Sequence, residues 1–203
     1  MWWQPSPETR FRREKYADYF NCLDRNGNGV IDRNDFGAYA SLVQERLRLP
    51  KDAPELSRLR ATTQALWASL RGRPELDDED DAEARAPRRE ADSLRLDELV
   101  GFFVWIESHA EGELPRAARD HVLATFSVLD MDGDGSIGPE DYAVYLYAIG
   151  SEADPAAAFA RLDEDGDGAI SLAQIEALYH DWICAGTPEK AGNYLLTGQL
   201  PGA

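Results

Sequence analysis

Asp130-Met131-Asp132-Gly133-Asp134-Gly135-Ser136-Ile137 carries the reading of this chain, and it recurs as Asp163-Glu164-Asp165-Gly166-Asp167-Gly168-Ala169-Ile170. A third copy, Asp24-Arg25-Asn26-Gly27-Asn28-Gly29-Val30-Ile31, stands near the start. Each copy puts an oxygen-bearing side chain at positions 1, 3 and 5, glycine at 6 and isoleucine at 8. Alternating oxygens converge on a hard cation, the glycine permits the sharp turn, and the apolar residue anchors the loop to a core. A single copy can be an accident, but three in phase are not. These loops bind divalent cations.

Working outward, a phenylalanine and a leucine precede each loop at the same offsets: Phe20/Leu23, Phe126/Leu129 and Phe159/Leu162. A spacing of three puts both on one helix face. After each loop, position 13 is apolar (Phe36, Tyr142, Ile175). Tyr39 and Val43, then Tyr145 and Leu146, then Leu178, Tyr179 and Trp182 continue the exiting helices. Each unit therefore reads as helix, loop, helix, which is the EF-hand pattern.

Such units pair through short strands at positions 7 to 9. The loops at 130–141 and 163–174 begin 33 residues apart and form one pair. The loop at 24–35 needs a partner, and the sequence offers a damaged one. Ser93-Leu94-Arg95-Leu96-Asp97-Glu98-Leu99 aligns position for position with Ala169-Ile170-Ser171-Leu172-Ala173-Gln174-Ile175. Trp67 and Leu70 would end its entering helix. Between Leu70 and Leu99 lie 28 residues where an intact loop has 12. Counting back from Glu98 leaves Pro87, Arg89 and Ala91 at positions 1, 3 and 5, none with a carboxylate, so this loop is expected to be metal-free while its apolar half still pairs. The run Asp77-Asp78-Glu79-Asp80-Asp81 inside the insertion, about residues 71–98, reads as a solvated acidic linker. Pro50 to Pro54 marks a turn between helices, and Gly112 to Pro115 the join between halves. The chain divides accordingly into residues 1–111 and 112–203.

The expected fold is all-α, four EF-hand units in two pairs, with short antiparallel β links between paired loops. The 203 residues, 43% hydrophobic, suffice for a full core. Net charge is −17, with 38 acidic against 21 basic residues. That balance disfavours nucleic acid and anionic membrane surfaces. Three dications, each of charge +2, would bring −17 to −11, so metal should stabilise the fold. Cys22 and Cys184 make neither a disulfide framework nor a zinc site. The N-terminal residues lack the apolar run of a signal peptide, and no stretch approaches a membrane span. The expectation is a cytoplasmic monomer.

The candidate ligands follow from loop position. The first loop offers Asp24, Asn26, Asn28, the Val30 carbonyl, Asp32 and Asp35. The third unit offers Asp130, Asp132, Asp134, the Ser136 carbonyl, a water beside Gly138, and Asp141. The fourth offers Asp163, Asp165, Asp167, the Ala169 carbonyl, Ser171 and Gln174. Glutamate at position 12 would grip calcium with both oxygens. Asp35 and Asp141 are one methylene shorter, and a contracted shell suits magnesium, which prefers about 2.0–2.1 Å. Gln174 is neutral, so the fourth site should be the weakest for calcium. The third, with four carboxylates, should be the strongest.

Four EF-hand units with a degenerate second, a long connection ahead of the third and the closing segment Trp182-Ile183-Cys184…Gly192-Asn193-Tyr194-Leu195-Leu196 resemble the sarcoplasmic calcium-binding proteins, the bacterial calerythrin above all. The resemblance implies one compact body, a tail that covers the core, and the role of an intracellular calcium buffer, to which Asp35 and Asp141 add the expectation of magnesium exchange.

A calcium sensor gripping a protein partner is the alternative reading. Sensors expose a methionine-rich groove, whereas this chain holds Met1 and Met131 alone. A photoprotein-like small-molecule binder is the remote one. Trp182 and Tyr194 fit it, but Leu178 stands where a histidine belongs and His180 lies off that face. His109 reads as a helix-end histidine, His121 as surface, and the five tryptophans, Trp2 and Trp3 among them, as core and interface aromatics. No arrangement suggests hydrolytic chemistry, so no enzyme is expected.

Overall fold

The computed structural model describes residues 6–71, 93–109 and 115–202. Trp2, Trp3, the acidic run 77–81, Pro87, Arg89, Ala91 and Gly112 lie outside the described residues, as do the side chains of Phe36, Leu70 and His109.

Helices alternate with loops along the chain. Helix α1 (Pro7–Leu23), strand β1 (Val30–Asp32) and α2 (Arg33–Arg46) form the first unit. Helix α3 (Pro54–Arg71), β2 (Ser93–Arg95) and α4 (Leu96–His109) belong to the second. Helix α5 (Arg116–Ser127), β3 (Ser136–Ile137) and α6 (Pro139–Ile149) make the third. Helix α7 (Pro155–Leu162), β4 (Ile170–Ser171) and α8 (Leu172–Cys184) make the fourth, and a 3₁₀ turn (Ala191–Tyr194) follows in the tail.

Local chemistry sets these boundaries. Ser6 accepts from the Thr9 N–H ahead of Pro7, and Asp154 accepts from Ala156 and Ala157 ahead of Pro155. Both give the side-chain cap plus proline start that satisfies orphan N–H groups. Helix α5 begins just after Pro115. Helix α6 ends at Gly150, whose φ of 78° is the left-handed cap that glycine adopts without steric cost.

The loops pair as their position-8 residues require. Strands β1 and β2 are antiparallel with Ile31 opposite Leu94, and β3 and β4 are antiparallel with Ile137 opposite Ile170. Ile31, Ile137 and Ile170 are fully buried and Leu94 nearly so. Each such side chain contributes about 1.5–3 kcal/mol, so the degenerate loop keeps its structural half after losing its ligand half.

The helices bury the expected faces: Phe20/Leu23, Phe126/Leu129, Phe159/Leu162 and position-13 residues Leu99, Tyr142 and Ile175. One hydrophobic core runs through all four units. Helix α3 packs on α5, α5 on α8, α1 on α4, and α2 on α6, so helices of the early and late units interleave. Trp182 sits fully buried among Tyr16, Tyr19, Phe103 and Tyr179, with ring centroids 5.0–6.3 Å away.

The tail closes this core. Leu195 and Leu196 are buried, and side chains donate to main-chain carbonyls from the end of α8 through the tail. Tyr16 donates to Ile183 (2.6 Å), Lys15 to Ala185 (3.0 Å), Tyr142 to Tyr194 (2.5 Å), Tyr145 to Leu196 (3.1 Å) and Ser151 to Thr197 (2.6 Å). Gly192 lies so close to α8 that an added Cβ would stand 2.3 Å from the Leu178 carbonyl oxygen. No helix among the described residues is long and apolar enough to cross a membrane.

Candidate metal centres

Each intact loop is held open by its own acidic side chains. In the third unit Asp130 accepts from the N–H groups of Gly133, Asp134 and Gly135 at 2.9–3.1 Å. Asp134 accepts from the Ser136 N–H (2.8 Å) and hydroxyl (2.6 Å). The fourth unit repeats the plan, with Asp163 accepting from Gly166 and Gly168 and Asp167 from Ala169. In the first, Asp24 accepts from Asn28 and Gly29, Asn26 from Asn28, and Asn28 from Val30. The glycines at positions 4 and 6 have positive φ throughout, 67–85°. That left-handed backbone turns successive N–H groups inward and lets the ligands face one point.

Whether the donors fit one ion is a matter of span. Two oxygens on opposite sides of a calcium, each at about 2.4 Å, stand about 4.8 Å apart. Ligand atoms of Asp130, Asp132 and Asp134 lie within 4.8 Å of one another, and so do those of Asp163, Asp165 and Asp167. The hard oxygen donors fit a hard dication in both charge and spacing. Val30 and Ser136 open strands β1 and β3, and Ala169 directly precedes β4, so the position-7 carbonyls stand where loop meets strand.

Position 12 is where the loops differ. Its side chain accepts from the N–H of position 9 in every unit: Asp35 from Asp32, Asp141 from Gly138, Gln174 from Ser171, and Glu98 of the degenerate loop from Arg95, all at 2.8–2.9 Å. This bond helps start each exiting helix, and Glu98 makes it in the damaged loop as well. It also engages one oxygen of Asp35 and one of Asp141. Asp35 is buried, while Asp32 caps α2 through Asn34 and Asp35. Burial lifts the Asp141 carboxyl above the usual carboxylate range against the pull of the Gly138 N–H, and the charges of Asp132, Asp130 and Glu140 act in the same direction as burial. Donation from Ser136 holds Asp134 below it.

Gln174 departs from the pattern in a way its neutrality alone did not reveal. Its Oε1 accepts from both the Ser171 N–H (2.8 Å) and the Ser171 hydroxyl (2.6 Å), and its Nε2 donates across the loop to Asp165 (3.4 Å). The fourth loop thus turns a donor toward its ligands where the others turn an acceptor. Another reading is corrected: His121 does not stand on the surface. It is partly buried beside Thr63, 3.5 Å away, and lines a cavity of about 20 Å³ with Tyr19, Tyr39, Thr125 and Tyr145. Its neighbours come from four other helices, which its own helical periodicity does not encode.

The EF-hand family profile matches residues 17–38, 123–143 and 156–173, which span the loops 24–35 and 130–141 whole and the loop 163–174 up to the residue before Gln174. The chain is a calcium-binding EF-hand protein. No curated protein matches it by sequence at a significant level. Its fold is that of solved EF-hand proteins. A sarcoplasmic calcium-binding protein from amphioxus is 21% identical over 94% of this chain and 98% of its own, with a TM-score of 0.66. A Streptomyces coelicolor calcium-binding protein described in terms of calcium-mediated regulation is 26% identical over 85% and 97%, at 0.64. The coelenterazine-binding protein of Renilla muelleri is 18% identical over 97% and 100%, at 0.67. In fold, this EF-hand protein is similar to the sarcoplasmic calcium-binding type.

Proposed function

We propose that this protein is an intracellular calcium buffer, without enzymatic activity, whose first and third sites exchange calcium for magnesium. The observation that carries the reading is the tail. In a sensor, calcium opens an EF-hand pair and bares an apolar groove. Here Leu195 and Leu196 occupy that space and are bonded down through Tyr142, Tyr145 and Ser151. Opening would break these hydrogen bonds and expose two leucines, about 3–6 kcal/mol of burial alone.

The short aspartates at position 12, each with one oxygen engaged by a backbone N–H, favour a six-coordinate shell that magnesium accepts. Calcium titration by calorimetry with and without millimolar magnesium tests this. The buffer reading expects magnesium to weaken apparent calcium affinity at two sites, and superimposable curves would refute the exchange.

A sensor role is the second reading, favoured by the described regulatory context of the Streptomyces relative. Calcium-dependent binding of an apolar dye would support it. The small-molecule reading finds less support. The cavity beside His121, about 20 Å³, has room for one water, whereas ligand sites run to about 300 Å³ or more.

A further inference from the structure

Arg25 stands at position 2 of the first loop, between the ligand residues Asp24 and Asn26. It makes no use of that loop. Its guanidinium donates instead to the main-chain carbonyl of Ala148, in the last turn of α6, 123 residues away. It lies flat against the cap of that helix: a Cβ added to Gly150 would stand 3.3 Å from Nη1 and 3.5 Å from Cζ. Two other carbonyls of that turn are already used, since Ser151 N–H donates to Leu146 and Gly150 N–H to Tyr147. The Ala148 carbonyl is left for Arg25. A cation at a helix C-terminus also meets the negative end of the helix dipole.

Helix α6 is no neutral anchor. It is the exiting helix of the third unit, and its first turn carries Asp141, the position-12 ligand. Eleven residues at 1.5 Å each separate its two ends by about 16 Å, a span a short straight helix crosses without bending. Its middle is pinned to the first unit's exiting helix through Tyr39 and Tyr145, edge to face at 6.1 Å. With a pivot at the middle and Arg25 at one end, the other end, Asp141, is not free to move independently of the first loop.

We propose that Arg25 is a positioning residue that couples metal occupancy of the first loop to the affinity of the third. An ion held by Asp24 and Asn26 would fix the backbone of Arg25 between them. The fixed guanidinium holds the end of α6, and the helix presents Asp141 at the third site in its ligating position. Coupling free energy is reciprocal, so occupancy of the third loop must tighten the first by the same factor. The proposal rests on the reading of loops 24–35 and 130–141 as calcium sites.

The test is a thermodynamic cycle on the full chain. Asp35→Asn disables the first site while retaining an oxygen to accept the Asp32 N–H. Third-site occupancy is followed by NMR at the Gly135 amide, whose N–H donates to Asp130, during calcium titration against a competing chelator. With Arg25 present, D35N should weaken calcium at the third site about fivefold or more, the lower end of measured couplings. In an Arg25→Met background the same lesion should change it less than twofold. Arg25→Lys keeps the charge and a donor, and should regain part of the coupling; it also serves should R25M fold poorly. A lesion without effect on the third site in the wild-type background would overturn the proposal. So would an equal effect with and without Arg25, which would make the contact a staple only. Failure of the wild-type chain to bind calcium at either loop would overturn the site assignment itself, and is visible in the first titration.

Discussion

Replacing Gln174 by glutamate should restore the charge that the fourth loop lacks and alter two measurable quantities in opposite directions. In the bound state, a carboxylate oxygen at about 2.4 Å from a dication is attracted by about 3 kcal/mol even at the dielectric of water. The amide oxygen already supplies part of that attraction, and desolvation of the new carboxylate removes some more. About 1.4–2.8 kcal/mol should survive, a 10–100-fold gain in calcium affinity. In the metal-free state the change is unfavourable. The Nε2 that donates to Asp165 at 3.4 Å becomes an anionic oxygen facing another. Repulsion at that distance costs about 1.2 kcal/mol in water, to which the lost hydrogen bond adds about 0.5–1 kcal/mol. At 2–4 °C per kcal/mol for a chain of this size, the metal-free Tm should fall by about 3–9 °C. Calorimetric titration gives the first quantity and a thermal melt in chelator the second. Unchanged affinity together with an unchanged metal-free Tm would show that Gln174 does not face the ion, and the reasoning would fail.

Three further outcomes follow from the same geometry. Asp141→Glu should raise calcium affinity at the third site about tenfold or more while weakening magnesium, because the longer side chain can spare both oxygens for the larger ion; competition titration reads both. Gly192→Ala drives a methyl group into the α8 backbone, with Leu178 O, Asp181 Cβ and Trp182 N at 2.3–2.9 Å. It should cost about 1–3 kcal/mol in a thermal or urea melt and loosen the tail enough to admit an apolar dye. The cavity wall pushes the His121 imidazole down from 6.5 to about 4, through burial that disfavours its charged form. A depressed histidine contributes its stability fully above the unfolded pKa of 6.5 and loses it as pH falls toward 4. Because His121 is partly rather than fully buried, the full linkage is reduced, so about 1–2 kcal/mol of metal-free stability should disappear over that window, and His121→Leu should flatten the loss relative to wild type in urea melts at stepped pH.

What could be read in the sequence was whatever local geometry imposes. Isoleucine at position 8 must face a core, so Ile31, Ile137 and Ile170 announced both burial and strand pairing, and Leu94 completed the register. The Phe/Leu pairs gave the helix faces because a spacing of three has one meaning on a helix. Ligand candidates were legible for the same reason, since oxygens at alternate positions of a tight loop have few places to point. Side chains with distant partners were not legible. Nothing near Arg25 marks Ala148 as its acceptor, and nothing near His121 announces a cavity walled by α1, α2, α3 and α6. Gln174 lay between the two. Its position was clear, but the direction of its amide depended on the Ser171 hydroxyl competing for its one oxygen.

The central claim, a closed protein that takes up calcium without offering a groove, is tested most directly by one experiment. Metal-free protein is titrated with calcium by calorimetry in millimolar magnesium while ANS fluorescence is followed in parallel. Two or three sites should fill with ANS emission flat throughout, because buried Leu195 and Leu196 keep the tail seated on the core. A calcium-dependent rise in ANS emission saturating with the sites would contradict it, and would make this protein a sensor.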